Sequence, residues 1–318
     1  MYVIETHGLS KSYGRHTVLG DVNLAVPRGS MFGFLGPNGA GKSTTIRILM
    51  GLLRSSGGQA RILGRDVWRD GASVRAEIGY LPGDIRFNDF WTGRETLHFL
   101  TLARGGRGKD EVRRLATRFD LALNQRIRSY SRGMRQKLGL IQALAHRPQV
   151  LILDEPTTAL DPLVQQTLFD ELRAATAEGR TVLFSSHTLS EVEQLCDHVA
   201  ILRGGRLIEQ GAIGELRRRE LRHVELTFAD AISAERFAPP QALRVFERSG
   251  ASVRGSWTGS VSDLLSWLPT QTLADVQISA PSLEDLFLSY YDRTAPAGTT
   301  HPIAAASRAA GVTEGGNA

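Results

Sequence analysis

Residues 31–53 read MFGFLGPNGAGKSTTIRILMGLL. The first five form a short apolar run closed by a glycine, the pattern of a strand buried on both faces. The stretch TTIRILMGLL reads as a helix. Between them, Gly36 to Ser43 fits the spacing G-x-x-x-x-G-K-[ST] in the strand-then-helix setting that this motif requires. Glycines let main-chain N–H groups wrap a phosphate without side-chain clashes, and the helix start adds partial positive charge. Lys42 would reach the β and γ phosphates of a nucleotide, and the Ser43 hydroxyl would coordinate magnesium. A chance glycine-rich turn is the competing reading. It is disfavoured because the chain holds four lysines and one stands in this position.

Three more runs resemble MFGFL: VLIL at 150–153, TVLF at 181–184 and VAIL at 199–202. With helix-like stretches between them, they predict an α/β fold with a largely parallel sheet over residues 1–215. Residues 2–30 alternate and end in Pro27, Arg28 and Gly29, which predicts an N-terminal antiparallel β subdomain. Residues 85–148 read as an inserted helical subdomain. Residues 223–292 restart the pattern as a small C-terminal α+β domain. Its expected elements are a strand at HVELTF, a helix at 261–268, a strand near 274–279 and a helix from Pro281 to Tyr291. Residues 293–318 are rich in Ala, Gly, Thr and Ser and lack aromatics, so a disordered tail is expected. No internal repeat is visible.

The strand VLIL runs into Asp154 and Glu155. Asp154 would hold magnesium, and Glu155 would polarise a water facing the γ-phosphate. An Asp-Glu pair often marks only the polar end of a buried strand; downstream of a phosphate loop it gains meaning. His187 closes the run TVLFSSH and could hydrogen-bond a γ-phosphate at the strand's edge. Alone, it would read as an ordinary surface or packed histidine.

Composition narrows the classes further. The 318 residues carry a net charge of +5, with 42% hydrophobic and 22% charged residues, the profile of a globular protein. No apolar run approaches the roughly 18 residues that a membrane span needs, and the start lacks the look of a leader peptide. A cytoplasmic chain is expected. The single cysteine, Cys196, has no internal partner and reads as a packing residue. The basic run Arg217 to Arg219 precedes Glu220 and reads as a solvated helix face, so no nucleic-acid partner is expected.

Taken in order, these residues resemble the ATPase subunits of ABC transporters. The order is Tyr13, the loop 36–43, the signature-like Tyr130-Ser131-Arg132-Gly133-Met134, Asp154-Glu155, Ala159-Leu160-Asp161 and His187. The resemblance covers residues 3 to about 215 and implies ATP and Mg2+ as cofactors, with Gly36, Pro37, Asn38, Gly39, Ala40, Gly41, Lys42, Ser43 and Thr44 binding the nucleotide. It implies that Tyr13 stacks on adenine. It also implies a homodimer or paired ATPase subunit in which Ser131, Arg132, Gly133 and Met134 close on the partner's ATP, with Asp161 at the interface. The remaining partner it implies is a permease on a separate transmembrane chain, which would hold this subunit on the inner face of the cell membrane.

Two departures stand out. The usual Leu-Ser-Gly-Gly-Gln is replaced at Tyr130, Arg132 and Met134, while Ser131 and Gly133 remain. In IGYLPGDIRF (78–87), Gly83 stands where the family has a glutamine that reaches the metal, leaving Asp84 as a candidate substitute. YSRGMRQKL (130–138) and PSLEDLFLSYY (281–291) resemble the subgroup serving antibiotic, drug or lipid exporters. An importer ATPase, a soluble ABC ATPase acting on ribosome or DNA, and a regulator without turnover are the alternatives.

Overall fold

The computed structural model describes residues 1–219 and 222–279. The chain divides into two compact units, Met1–Arg219 and Glu220–Ala318.

Alternation over the first residues produces β1 (Tyr2–Tyr13), β2 (His16–Val22) and β3 (Ala25–Pro27), all antiparallel to one another where they pair. The chain then enters β4 (Met31–Leu35), buried along its whole length, and α1 (Lys42–Leu49). The expected helix ends at Leu49 because Gly51 turns left-handed, with φ of 61°. The antiparallel sheet is completed by β5 (Gly57–Ile62) and β6 (Arg65–Asp66). After α2 (Gly71–Ala76) comes β7 (Ile78–Leu81).

The next segment is helical: α3 (Gly93–Ala103), α4 (Lys109–Arg118) and α5 (Arg132–Leu144). Thr92 and Glu95 form a reciprocal capping box at the start of α3. Alternating strands and helices follow: β8 (Val150–Asp154), α6 (Pro162–Ala177), β9 (Thr181–Ser186), α7 (Leu189–Leu195), β10 (His198–Arg203), β11 (Arg206–Ala212) and α8 (Ile213–Arg219).

The main sheet has the order β11-β10-β4-β9-β8-β7. All neighbours are parallel except β10 and β11. The four apolar runs therefore sit side by side, and their carboxyl ends share one edge. Leu35 pairs with Ser186, and Asp154 with Ser185. Ligands of open α/β sheets bind outside such an edge.

The helical segment is fastened to the core by ions. Glu171 of α6 is buried and accepts from Arg114 at 2.8 and 2.7 Å, with Arg118 Nε at 3.1 Å. A buried carboxylate is tolerated only when so paired. Cys196 is partly buried with its Sγ beside Gly33, and desolvation pushes its thiol pKa up, as befits a packing residue.

The second unit holds β12 (Arg222–Thr227), α9 (Ala231–Arg236), β13 (Leu243–Ser249), β14 (Ser252–Trp257), α10 (Val261–Trp267) and β15 (Asp275–Ser279). Its antiparallel sheet, β13-β14-β12-β15, buries Val224, Leu226, Val253 and Trp257 with Phe228, Phe237 and Leu264. The helix expected at 281–291 and the tail at 293–318 lie outside the described residues.

Candidate active site

The glycine-rich loop leaves β4 at the centre of the sheet and enters α1 directly. Gly41 has φ of 108°, and a side chain there would press on Leu19 at 2.6 Å, so only glycine suits the turn. The loop is held by Ala40 N–H donating to the Pro37 carbonyl at 3.1 Å and by Gly205 N–H donating to Ala40 at 3.0 Å. Thr45 Oγ1 donates to the Gly41 carbonyl at 3.0 Å. Pro37, Asn38, Gly39, Gly41, Ser43, Thr44 and Glu155 border a hollow of about 210 Å³, with Val18 at its side.

Lys42 is the first residue of α1, and only 4% of it is exposed. Its Nζ donates to the carbonyls of Gly36 at 2.5 Å and Pro37 at 3.3 Å. It also lies 3.7 Å from Glu155 Oε1. Burial lowers its pKa, while Glu155 and Asp154 pull the other way. The ammonium is thus partly stripped of water and surrounded by acceptors, the setting in which a charge interacts most strongly with an anion.

Asp154 ends β8 and is buried. Ser185 Oγ donates to its Oδ1 at 2.6 Å. Its Oδ2 faces Gly83, where an added Cβ would stand 3.2 Å away. Gly83 therefore adjoins the carboxylate directly. Asp84, by contrast, is 65% exposed and paired with Arg86 at 2.8 Å. Tyr80 registers the buried charge nearby: desolvation, with Asp154 adding, pushes its hydroxyl up to about 12.

Glu155 adopts a left-handed backbone, φ 50°. This breaks the strand and turns the carboxylate toward Lys42. Its N–H donates to Ser185 O at 3.2 Å and Oγ at 3.0 Å. His187 Nδ1 lies 3.4 Å from Glu155 Oε1. The loop residues, Asp154, Glu155 and His187 are thus gathered at one sheet edge.

Other residues singled out from sequence lie elsewhere. Ser131 caps α5, accepting from Met134 N–H at 3.2 Å; Arg132 is exposed. Gly133 packs so closely on the Ala159 carbonyl that a Cβ would lie 2.7 Å from it. Asp161 caps α6 by accepting from Val164 N–H at 3.0 Å, with Pro162 following. Tyr13 ends β1 half-exposed, with Lys11 Nζ 4.9 Å above its ring, and does not border the hollow. Ser185 and Gln136 were missed. Ser185 lay within the quoted TVLFSSH. Gln136 donates from α5 to the Pro156 carbonyl at 2.8 Å, a contact across 20 residues that no local pattern signals.

The oxygen donors suit a magnesium ion: the Ser43 hydroxyl borders the hollow, and the Asp154 carboxylate ends a strand at the same sheet edge, both hard oxygen. The cradle itself suits a phosphate chain.

Comparison with known proteins gives a consistent result. Residues 19–158 match the family model described as ABC transporter. A daunorubicin/doxorubicin resistance ATP-binding protein of Streptomyces peucetius is 39% identical over 219 residues, covering 67% of this chain and 66% of that protein. A Nod factor export ATP-binding protein of Rhizobium johnstonii is 33% identical over 296 residues, covering 90% of this chain and 93% of that protein. Among solved structures, an ATP-binding subunit of an ABC transporter matches with a TM-score of 0.64 at 33% identity, covering 68% of this chain and 92% of that one.

Proposed function

The chain belongs to the ATP-binding proteins of ABC transporters, and from that membership we propose that it hydrolyses Mg-ATP to drive an exporter whose membrane permease is a separate chain. The observation that carries the reading is the convergence of Lys42 and Glu155 on one glycine-rich hollow, with Asp154 ending the strand just before Glu155. Relatives named for drug resistance and Nod factor export support the direction of transport. They also support a cargo of drug, antibiotic or lipid-like character. Among the described residues no helix is long and apolar enough to cross a membrane, in keeping with a separate permease.

In this reading the loop 36–44 takes the phosphates on its main-chain amides, and Lys42 exchanges its carbonyl partners for β and γ oxygens. Ser43 and Asp154 would hold magnesium, which supplies charge neutralisation on the phosphates. Asp84 is drawn off by Arg86 and is the weaker candidate ligand. Glu155 accepts the proton of the attacking water, while His187, beside its carboxylate, orients that water. Tyr13 would serve the adenine. Ser131 to Met134 would close on the ATP of a paired subunit, and Asp161 would lie near that junction. The second unit is an accessory domain. The working place is the inner face of the cell membrane.

The test is Glu155→Gln. With Mg-ATP, this variant is expected to accumulate as a dimer in light scattering, because closure no longer ends in hydrolysis. A monomer at saturating nucleotide would count against the paired site.

A further inference from the structure

The left-handed turn at Glu155 raises a question that the active-site contacts leave open. A non-glycine residue with positive φ is strained and persists only where its surroundings hold it. The N–H of Glu155 is held by Ser185 on β9. Beyond it, the carbonyls of Glu155 and Pro156 have left the β ladder, and Pro156 has no N–H to offer. Buried carbonyls need donors. Glu155 O accepts from Thr158 N–H at 3.2 Å, but Pro156 O takes its donor from Gln136, whose Nε2 donates to it at 2.8 Å and lies 3.4 Å from Glu155 O, and the residue is only 7% exposed. Gln136 lies on α5, whose first turn presses Gly133 against Ala159. The segment 155–159 is therefore fastened to α5 at two points.

We propose that Gln136 is a positioning residue for hydrolysis, its side-chain amide clamping the Glu155–Pro156 main chain to α5 and so aiming the Glu155 carboxylate. The inference rests on the proposed role of Glu155. It gives a polar side chain buried in the middle of a helix a task within the reaction. Nothing in the packing of α5 alone calls for an amide there, since a methionine would fill similar space.

The experiment uses the full-length chain as wild type, Gln136→Met, Gln136→Glu and Glu155→Gln. Steady-state ATP hydrolysis and Mg-ATP affinity are measured for each. Gln136→Met keeps the volume and loses the donor. It is expected to bind Mg-ATP within about twofold of wild type while kcat falls about tenfold. Gln136→Glu places an ionised carboxylate against two carbonyls at pH 8. At pH 6 its carboxyl, its pKa raised by burial, regains a proton and donates again. The ratio of its kcat to that of wild type is therefore expected to climb as pH falls. A purely structural residue would lose affinity and turnover together and show a flat ratio. If Gln136→Met does not fold, the pH profile of Gln136→Glu decides. Wild-type kcat in both variants, or a flat ratio, overturns the proposal while leaving Glu155 in its role. Turnover retained in Glu155→Gln overturns the parent reading and this proposal with it.

Discussion

Replacing Ser185 by alanine removes one oxygen from the centre of the site. Ser185 is fully buried, and its Oγ makes two bonds: a donation to Asp154 Oδ1 at 2.6 Å and an acceptance from Glu155 N–H at 3.0 Å. The second is backed by Ser185 O at 3.2 Å, so Glu155 N–H keeps a partner. The first is a short, charge-assisted bond to a buried carboxylate. Bonds of this kind contribute about 1.5–3 kcal/mol. Asp154 would lose the donor that fixes its orientation toward the metal. Outer partners of metal ligands commonly change metal affinity about 10–100-fold, the range that 1.5–3 kcal/mol converts to. The expected outcome for Ser185→Ala is a rise of about tenfold or more in the magnesium concentration giving half-maximal ATP hydrolysis. Binding of ATP in the presence of a chelator should stay within about twofold of wild type. A magnesium titration of the ATPase rate reads the first quantity and a nucleotide titration in EDTA the second. An unchanged magnesium requirement would refute the idea that Ser185 orients a metal ligand.

Lys42→Ala deletes a desolvated cation at the cradle, so its ATP affinity, read by calorimetric titration, is expected to fall about 10–100-fold. His146 gives a pH signature of stability: burial, with Arg104 beside it, pushes its pKa down to about 4. The unfolded chain, titrating near 6.5, binds the proton first as pH falls. Folding stability should therefore decline by up to about 3 kcal/mol between pH 6.5 and pH 4, and urea midpoints for His146→Gln should show a shallower decline.

Much of the core was legible because its signals are local. MFGFL, VLIL, TVLF and VAIL each became a neighbouring strand of one sheet, since fully buried parallel strands need unbroken apolar runs. The phosphate loop was legible for the same reason: its spacing encodes a turn that only glycine can make. β7 carries a weak local signal, because Ile78 to Leu81 is only four residues long and runs into Pro82 and Gly83. β13 and β14 escaped because their apolar residues are sparse, as in FERSG and VRGSW, and half their side chains face solvent. At the site, the residue types of Lys42, Asp154, Glu155 and His187 pointed to one centre, but the means of holding them did not. The left-handed turn at Glu155 is a single backbone angle, and the Ser185 bonds and the Gln136 bond to Pro156 join segments 20 or more residues apart. Asp161 was picked out for an interface, and its visible contact is a helix cap. Tyr13 was picked out for adenine, and it sits at a strand end beside Lys11 rather than at the hollow.

The most direct measurement is phosphate release and retained nucleotide in Glu155→Gln beside the wild-type chain, both given radiolabelled Mg-ATP. The account predicts that the wild type liberates phosphate over many turnovers, while the variant keeps its bound nucleotide as intact ATP. Sustained phosphate release by Glu155→Gln, or no nucleotide retained by either protein, would contradict it.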